Sequence, residues 1–256
     1  MGSFVCCQAR RSKLSKAKRK KLGKRSACLS CGYQLRWFDN IPIISWILLR
    51  GKCRKCGKKI GKLEFLSEIL MAVAFLLIGM FGSLTLEYAY FGPLYLIVIL
   101  IFITLLGYLA IYDGKWGELP SRELTLSVVC GLVLLGLKQW SIYQSEQSLH
   151  FLGGSLLSAL SGIGILSGVY FLIYLFSKER LVGGGDWILG LALSLALGNW
   201  WLALLTMFLS NALASIIMAP SVMKKEDKKI FFGPWMILGF FIVYIFQEYL
   251  LKMIVF

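Results

Sequence analysis

Gly183-Gly184-Gly185-Asp186-Trp187-Ile188-Leu189-Gly190-Leu191-Ala192-Leu193 sets three helix-breaking glycines and one carboxylate at the mouth of an apolar run. Glycine tolerates φ above zero and lets another backbone approach closely. The stretch therefore reads as the start of an apolar helix with an acid at its rim and room beside it for an extended peptide. A second acid, Asp113, ends the apolar run at residues 90–112 and is followed by Gly114 and Pro120. An ionisable side chain at the edge of an apolar span is costly unless it lines a polar cavity, so both aspartates are candidate functional groups. The plainer reading of either one alone is a helix-end carboxylate at the level of the lipid headgroups.

With 58% hydrophobic and only 16% charged residues, the chain is too apolar for a soluble domain, and the expected fold is an all-α polytopic membrane protein. Apolar runs at about residues 65–82, 90–112, 124–140, 151–177, 187–197, 200–219 and 233–255 predict about seven transmembrane helices, the fifth of them short. It joins the sixth through Gly198-Asn199-Trp200-Trp201, a tight turn with interfacial tryptophans. Of the 28 Lys and Arg, eighteen lie between residues 10 and 62, so the net charge of +15 is an N-terminal property. A basic segment beside a membrane favours the cytoplasmic face and anionic lipids. No nucleic-acid partner is expected, because aromatic residues do not interleave with the basic ones. The division expected is a basic arm and cytoplasmic loop at 1–63, then a membrane domain at 64–256.

The loop carries the most specific pattern in the chain. Cys28-Leu29-Ser30-Cys31 and Cys53-Arg54-Lys55-Cys56 are two CxxC knuckles, each followed directly by a glycine, Gly32 and Gly57. Such spacing predicts a zinc-ribbon-like site in which Cys28, Cys31, Cys53 and Cys56 hold one structural Zn²⁺. Two disulfides, the alternative, would need an oxidising compartment and would put the basic charge on the wrong side of the membrane. Cys6, Cys7 and Cys130 are left as small buried hydrophobes. Between the knuckles, residues 37–46 are apolar and aromatic and are expected on the membrane surface.

Basic residues alternate between successive connections. With the metal loop inside, the inner connections hold Lys115 and Arg122, then Lys178 and Arg180, then Lys224, Lys225, Lys228 and Lys229, while the outer side shows only Lys138 and Lys252. This distribution follows the positive-inside rule and places Asp113 and Asp186 on one side, the cytoplasmic one, where they can meet. Two carboxylates in a low-dielectric cleft share a proton and titrate jointly. That is the arrangement of an aspartic protease, one carboxylate activating water and the other polarising the scissile carbonyl. The only histidine, His150, falls in an outer connection, so no nucleophilic triad competes.

These residues resemble those of the bacterial type IV prepilin peptidases, GxGD membrane aspartic proteases that cut the leader from prepilins and N-methylate the new terminus. Gly183-Gly184-Gly185-Asp186 is similar to the family's GxGD motif, and Asp113 with Pro120 to its other aspartate segment. Asn40-Ile41-Pro42-Ile43-Ile44-Ser45-Trp46, Arg50-Gly51-Lys52-Cys53-Arg54 and Phe232-Gly233-Pro234 resemble further family segments. The resemblance implies Asp113 and Asp186 as the catalytic pair, Gly183, Gly184 and Gly185 along the substrate, prepilin or pseudopilin substrates, S-adenosylmethionine as methyl donor and the bacterial inner membrane. Glu68 falls on a family glutamate and is a candidate for the substrate or methyl-transfer site. Ile188 stands where the family has Lys, and the family's first helix is shortened, its usual end matching Gly2-Ser3-Phe4. Two other readings stay open: a non-catalytic membrane assembly factor whose metal loop binds partners, which Ile188 favours, and an intramembrane GxGD protease acting on other peptides.

Overall fold

The structure, a computed structural model, describes residues 2–14, 26–28, 30–41, 43–86, 92–146, 149–177, 182–223 and 231–253. Most of the basic arm, the side chain of His150, and Lys178, Arg180, Lys224, Lys225, Lys228 and Lys229 lie outside the described residues. The helices are α1 (Gly2–Ser12), α2 (Ile44–Leu48), α3 (Lys62–Leu86), α4 (Gly92–Trp116), α5 (Ser121–Glu146), α6 (Leu149–Ile163), α7 (Val169–Ser177), α8 (Asp186–Leu197), α9 (Trp200–Met223), α10 (Gly233–Ile245) and α11 (Gln247–Lys252). A π-helical turn, Gly164–Gly168, joins α6 to α7. No strand occurs among the described residues; the only β-pairing there is two isolated antiparallel bridges.

Each of the seven expected apolar runs is helical over most of its described residues. Four spans, Gly92–Trp116, Ser121–Gln144, Leu152–Ser177 and Trp200–Ile217, are long and apolar enough to cross a membrane by length and composition. Phe65–Phe81, Asp186–Leu197 and Gly233–Ile245 are shorter apolar helices. The last run, read as continuous over 233–255, is instead divided at Phe246, whose ψ of 9° ends α10 one residue before α11 begins. Hydrophobic side chains such as Leu160, Phe208 and Ile216 stand in the open on the outer faces. Apolar residues thus stand on both the inner and the outer faces, with Ser127, Ser194, Thr206 and Ser210 buried among them, which suits a lipid solvent, where helices associate through close packing rather than through water exclusion.

The chain forms two compact units, Met1–Leu76 and Leu77–Phe256. In the larger one, α8 is the enclosed element: Leu189, Gly190 and every residue from Ala192 to Leu197 are buried. It packs along α5 and against the π turn, while α4 runs beside α5 and α10, and α10 beside α9. Close approach is bought with glycine, since a Cβ on Gly131 of α5 would stand 2.7 Å from the Ala192 carbonyl oxygen. The far end of α8 is closed twice. Gly198 adopts φ 61° and its N–H donates to the Ser194 carbonyl, and the Lys138 ammonium donates to the Leu197 carbonyl at 2.8 Å. Both satisfy carbonyls that a helix C-terminus leaves bare. Asn199 then caps α9, its Oδ1 accepting from the N–H groups of Trp201 and Leu202.

Candidate active site and metal centre

Asp113 lies in the last turn of α4 and Asp186 opens α8, both buried. The Gly233 N–H, at the start of α10, donates to Asp113 Oδ2 at 3.0 Å. A Cβ at Gly233 would sit 2.7 Å from that same oxygen and push the carboxylate aside. The segment around it is packed onto the turn after Asp113: Gly114 faces the Pro234 ring, and Gly117, at φ 66°, faces the Phe231 ring. Pro234 in the first turn suits a helix start, where its missing N–H costs nothing.

Asp186 is held by its own turn. Its N–H donates to the Gly183 carbonyl at 3.1 Å, and the Gly183 N–H donates back to Asp186 Oδ2 at 3.0 Å. Packing requires the last glycine, since a Cβ on Gly185 would meet Leu119 at 2.8 Å, whereas one on Gly184 would make an ordinary contact with the Tyr174 ring at 3.4 Å. The room expected for a substrate backbone is thus partly taken by this chain's own side chains. The two carboxylates are near enough to act on one another electrostatically. Each has one oxygen fixed by a backbone amide and its Oδ1 without a hydrogen bond among the described residues.

The sequence reading did not find the part played by Gly233, nor Tyr170, which is buried with its ring 5.3 Å from that of Phe232, the neighbour of Gly233. A glycine and a proline opening an apolar run were the only local signals. Ile188 is half-buried on α8.

In the smaller unit the four cysteine sulfurs converge, all within 4.8 Å of one another, with Cys28 Sγ and Cys56 Sγ 3.9 Å apart. Four thiolates about a tetrahedral Zn²⁺ at about 2.3 Å would stand about 3.8 Å apart, whereas a disulfide needs about 2.05 Å, so the cluster fits a metal ion. The two knuckles are built alike. Gly32 N–H donates to the Cys28 carbonyl and Gly57 N–H to the Cys53 carbonyl, both at 2.9 Å, with φ of 71° and 67° that explain the glycines. Burial raises the Cys28 thiol, but the amides of Cys31 and Ser30 and the thiols of Cys53 and Cys31 outweigh it and hold the group down at about 7. Of the leftover cysteines, Cys6 is buried, while Cys7 and Cys130 are partly exposed.

Asp39 ties this unit together. Its carboxylate accepts from Arg54 Nε at 2.9 Å, from the Arg36 amide at 3.1 Å and from the Tyr33 hydroxyl at 3.4 Å. The aromatic stretch expected on a membrane surface splits in two: Trp37 and Ile44 are exposed, as are Ile47 and Leu48 just beyond it, but Trp46 turns inward to stack on Phe65 at 4.3 Å and to cover Gly51. Glu68 is buried, and its Oε2 accepts from the Ile43 N–H at 2.7 Å. It therefore serves the strap between the knuckles rather than the amides of its own helix start. Ile43 itself has φ 62°, a strained region for a β-branched residue.

Residues 1–81 match the family described as Bacterial Peptidase A24 N-terminal domain. The prepilin leader peptidase/N-methyltransferase of Dichelobacter nodosus is 29% identical over 221 residues, covering 86% of this chain and 71% of that protein. Its namesake from Burkholderia pseudomallei is 34% identical over 196 residues, 74% of this chain and 55% of the other. No solved structure matches the chain. The namesake from Pectobacterium carotovorum subsp. carotovorum is 30% identical over 220 residues, 84% of this chain and 71% of its own length. Identity sustained over that much of both proteins means that the chain belongs to the prepilin leader peptidase/N-methyltransferase family.

Proposed function

We propose that this chain is a membrane aspartic endopeptidase that removes the leader of type IV prepilins or pseudopilins at the cytoplasmic face of the bacterial inner membrane and N-methylates the new terminus. The relatives' names support both reactions. The catalytic pair is Asp113 and Asp186, and the observation that carries it is their matched restraint: Oδ2 of each is fixed by a glycine amide while Oδ1 stays open. The ionised member takes a proton from water as it attacks the scissile carbonyl. The protonated member binds the carbonyl oxygen and then delivers its proton to the leaving amine. The Gly183-Gly184-Gly185 turn presents Asp186 to the substrate.

Residues 1–63 form the basic arm, held by anionic lipid, and the metal loop; residues 64–256 form the peptidase domain. Cys28, Cys31, Cys53 and Cys56 hold Zn²⁺, which closes the loop and takes no part in the hydrolysis. S-adenosylmethionine supplies the methyl group. Glu68, a buried carboxylate with Oε1 to spare beyond its bond to Ile43, suits binding the new N-terminal ammonium and taking the proton that its nitrogen must lose before it can accept the methyl group.

Asp113→Asn and Asp186→Asn each should abolish cleavage of a prepilin-like substrate in isolated membranes while leaving the protein inserted and folded. The double variant should be no worse than either single one, because the pair acts as a unit. Near-normal cleavage by either single variant would end this reading.

A further inference from the structure

Tyr170, the first residue after Val169 in α7, is buried and carries one hydrogen bond: the Asn211 Nδ2 amide of α9 donates to its hydroxyl oxygen at 2.9 Å. Asn211 spends its other amide hydrogen on the Met207 carbonyl at 2.8 Å. A flipped amide would set oxygen against oxygen there, so Asn211 is fixed as a donor and the phenol must accept. The phenol proton is then left for something else. The Asp186 carboxylate is near enough to act on this hydroxyl electrostatically. The same ring lies against Phe232, the neighbour of the Gly233 that holds Asp113. Just before Tyr170 the helix makes the π turn Gly164–Gly168, a distortion frequent at functional sites, and Ser167 of that turn donates to the Trp187 carbonyl at 2.9 Å. One irregular turn thereby registers Tyr170 against the first residues of α8.

We infer that Tyr170, oriented by Asn211, is a positioning residue for the reaction: its O–H donates to the water held by Asp186 and fixes the direction from which that water attacks. The inference rests on the Asp113–Asp186 reading and adds a third polar group to it.

Tyr170→Phe removes only the hydroxyl and keeps the ring against Phe232. With a prepilin-like substrate in detergent-solubilised full-length enzyme, kcat should fall roughly 10- to 100-fold, about 1.4 to 2.7 kcal/mol of barrier, with KM within about threefold of the parent. The melting temperature should fall no further than it does for Asn211→Ala, which loses the same hydrogen bond. Asn211→Ala should lower kcat in the same direction and by less, and the double variant should be no worse than Tyr170→Phe alone. Parental kcat for Tyr170→Phe, a loss of kcat accompanied by a larger fall in melting temperature than Asn211→Ala shows, or a double variant showing the product of both losses would each overturn the inference. Asp186→Asn, run alongside, separates the two levels. Full loss there with parental kcat for Tyr170→Phe removes only the tyrosine, whereas activity retained by Asp186→Asn removes the dyad itself.

Discussion

The Gly233 N–H donates to Asp113 Oδ2 across 120 residues of sequence, at 3.0 Å. The bond joins the end of one apolar helix to the start of another and fixes which carboxylate oxygen is left for chemistry. Gly233→Ala would press a Cβ to 2.7 Å from that oxygen. A misplacement of about 1 Å at a reacting group costs on the order of a hundredfold in rate. Cleavage by this variant should fall by about that much in a prepilin-processing assay, with circular dichroism unchanged. Parental cleavage would mean that Asp113 can turn away freely and that the amide does not orient it.

The metal centre should yield about one zinc per chain on elemental analysis of purified protein, as a closed four-thiolate site requires. Cys31→Ser should abolish that signal. Metal binding displaces protons from the thiols, so affinity should fall as pH is lowered through about 7, where the Cys28 thiol begins to hold its proton. A zinc titration at several pH values measures this, and an affinity independent of pH would contradict thiolate ligation.

Lys138→Met should destabilise the helical domain, because the Leu197 carbonyl loses the ammonium that caps it. A buried carbonyl left bare costs about 1–3 kcal/mol. The melting temperature in detergent should drop, and peptidase activity measured well below it should persist. An unchanged melting temperature would show that water replaces the lysine.

Orientation is open to labelling. With the basic connections inside, a cysteine placed at Lys225 should react with an impermeant maleimide only after the membrane is opened, and one placed at Glu87 should react in intact cells. Reaction of the Lys225→Cys variant from outside would invert the arrangement.

Helix positions were readable because seven apolar runs separated by charged, Gly or Pro punctuation carry strong signals in any membrane chain. The four cysteines were readable because CxxC followed by glycine encodes its own turn. Other features depend on partners far away in sequence. The π turn Gly164–Gly168 is invisible in an apolar run, since α- and π-helix share the same residue pattern there. The break at Phe246 is equally silent, because hydrophobicity continues across it. Glu68 carries no local sign of its partner, the Ile43 amide, which is set by how the strap between the knuckles folds back. Asn211 and Tyr170 could not be paired from sequence, because nothing local says that a polar residue on one apolar helix will find one on another.

Helix α8 has 12 residues. At about 1.5 Å per residue it rises about 18 Å, against about 30 Å of hydrocarbon in a typical bilayer. Its Lys138 tether and its glycine turn therefore cannot both rest at the two membrane surfaces. Asp186 stands at one end of a rod too short for the slab around it, so the lipid must dimple toward it or a funnel of solvent must reach down. The hydrolytic rate of such an enzyme would then depend on bilayer thickness, faster in thin membranes of short-chain lipid and slower in thick ones, with no change in any residue of the site.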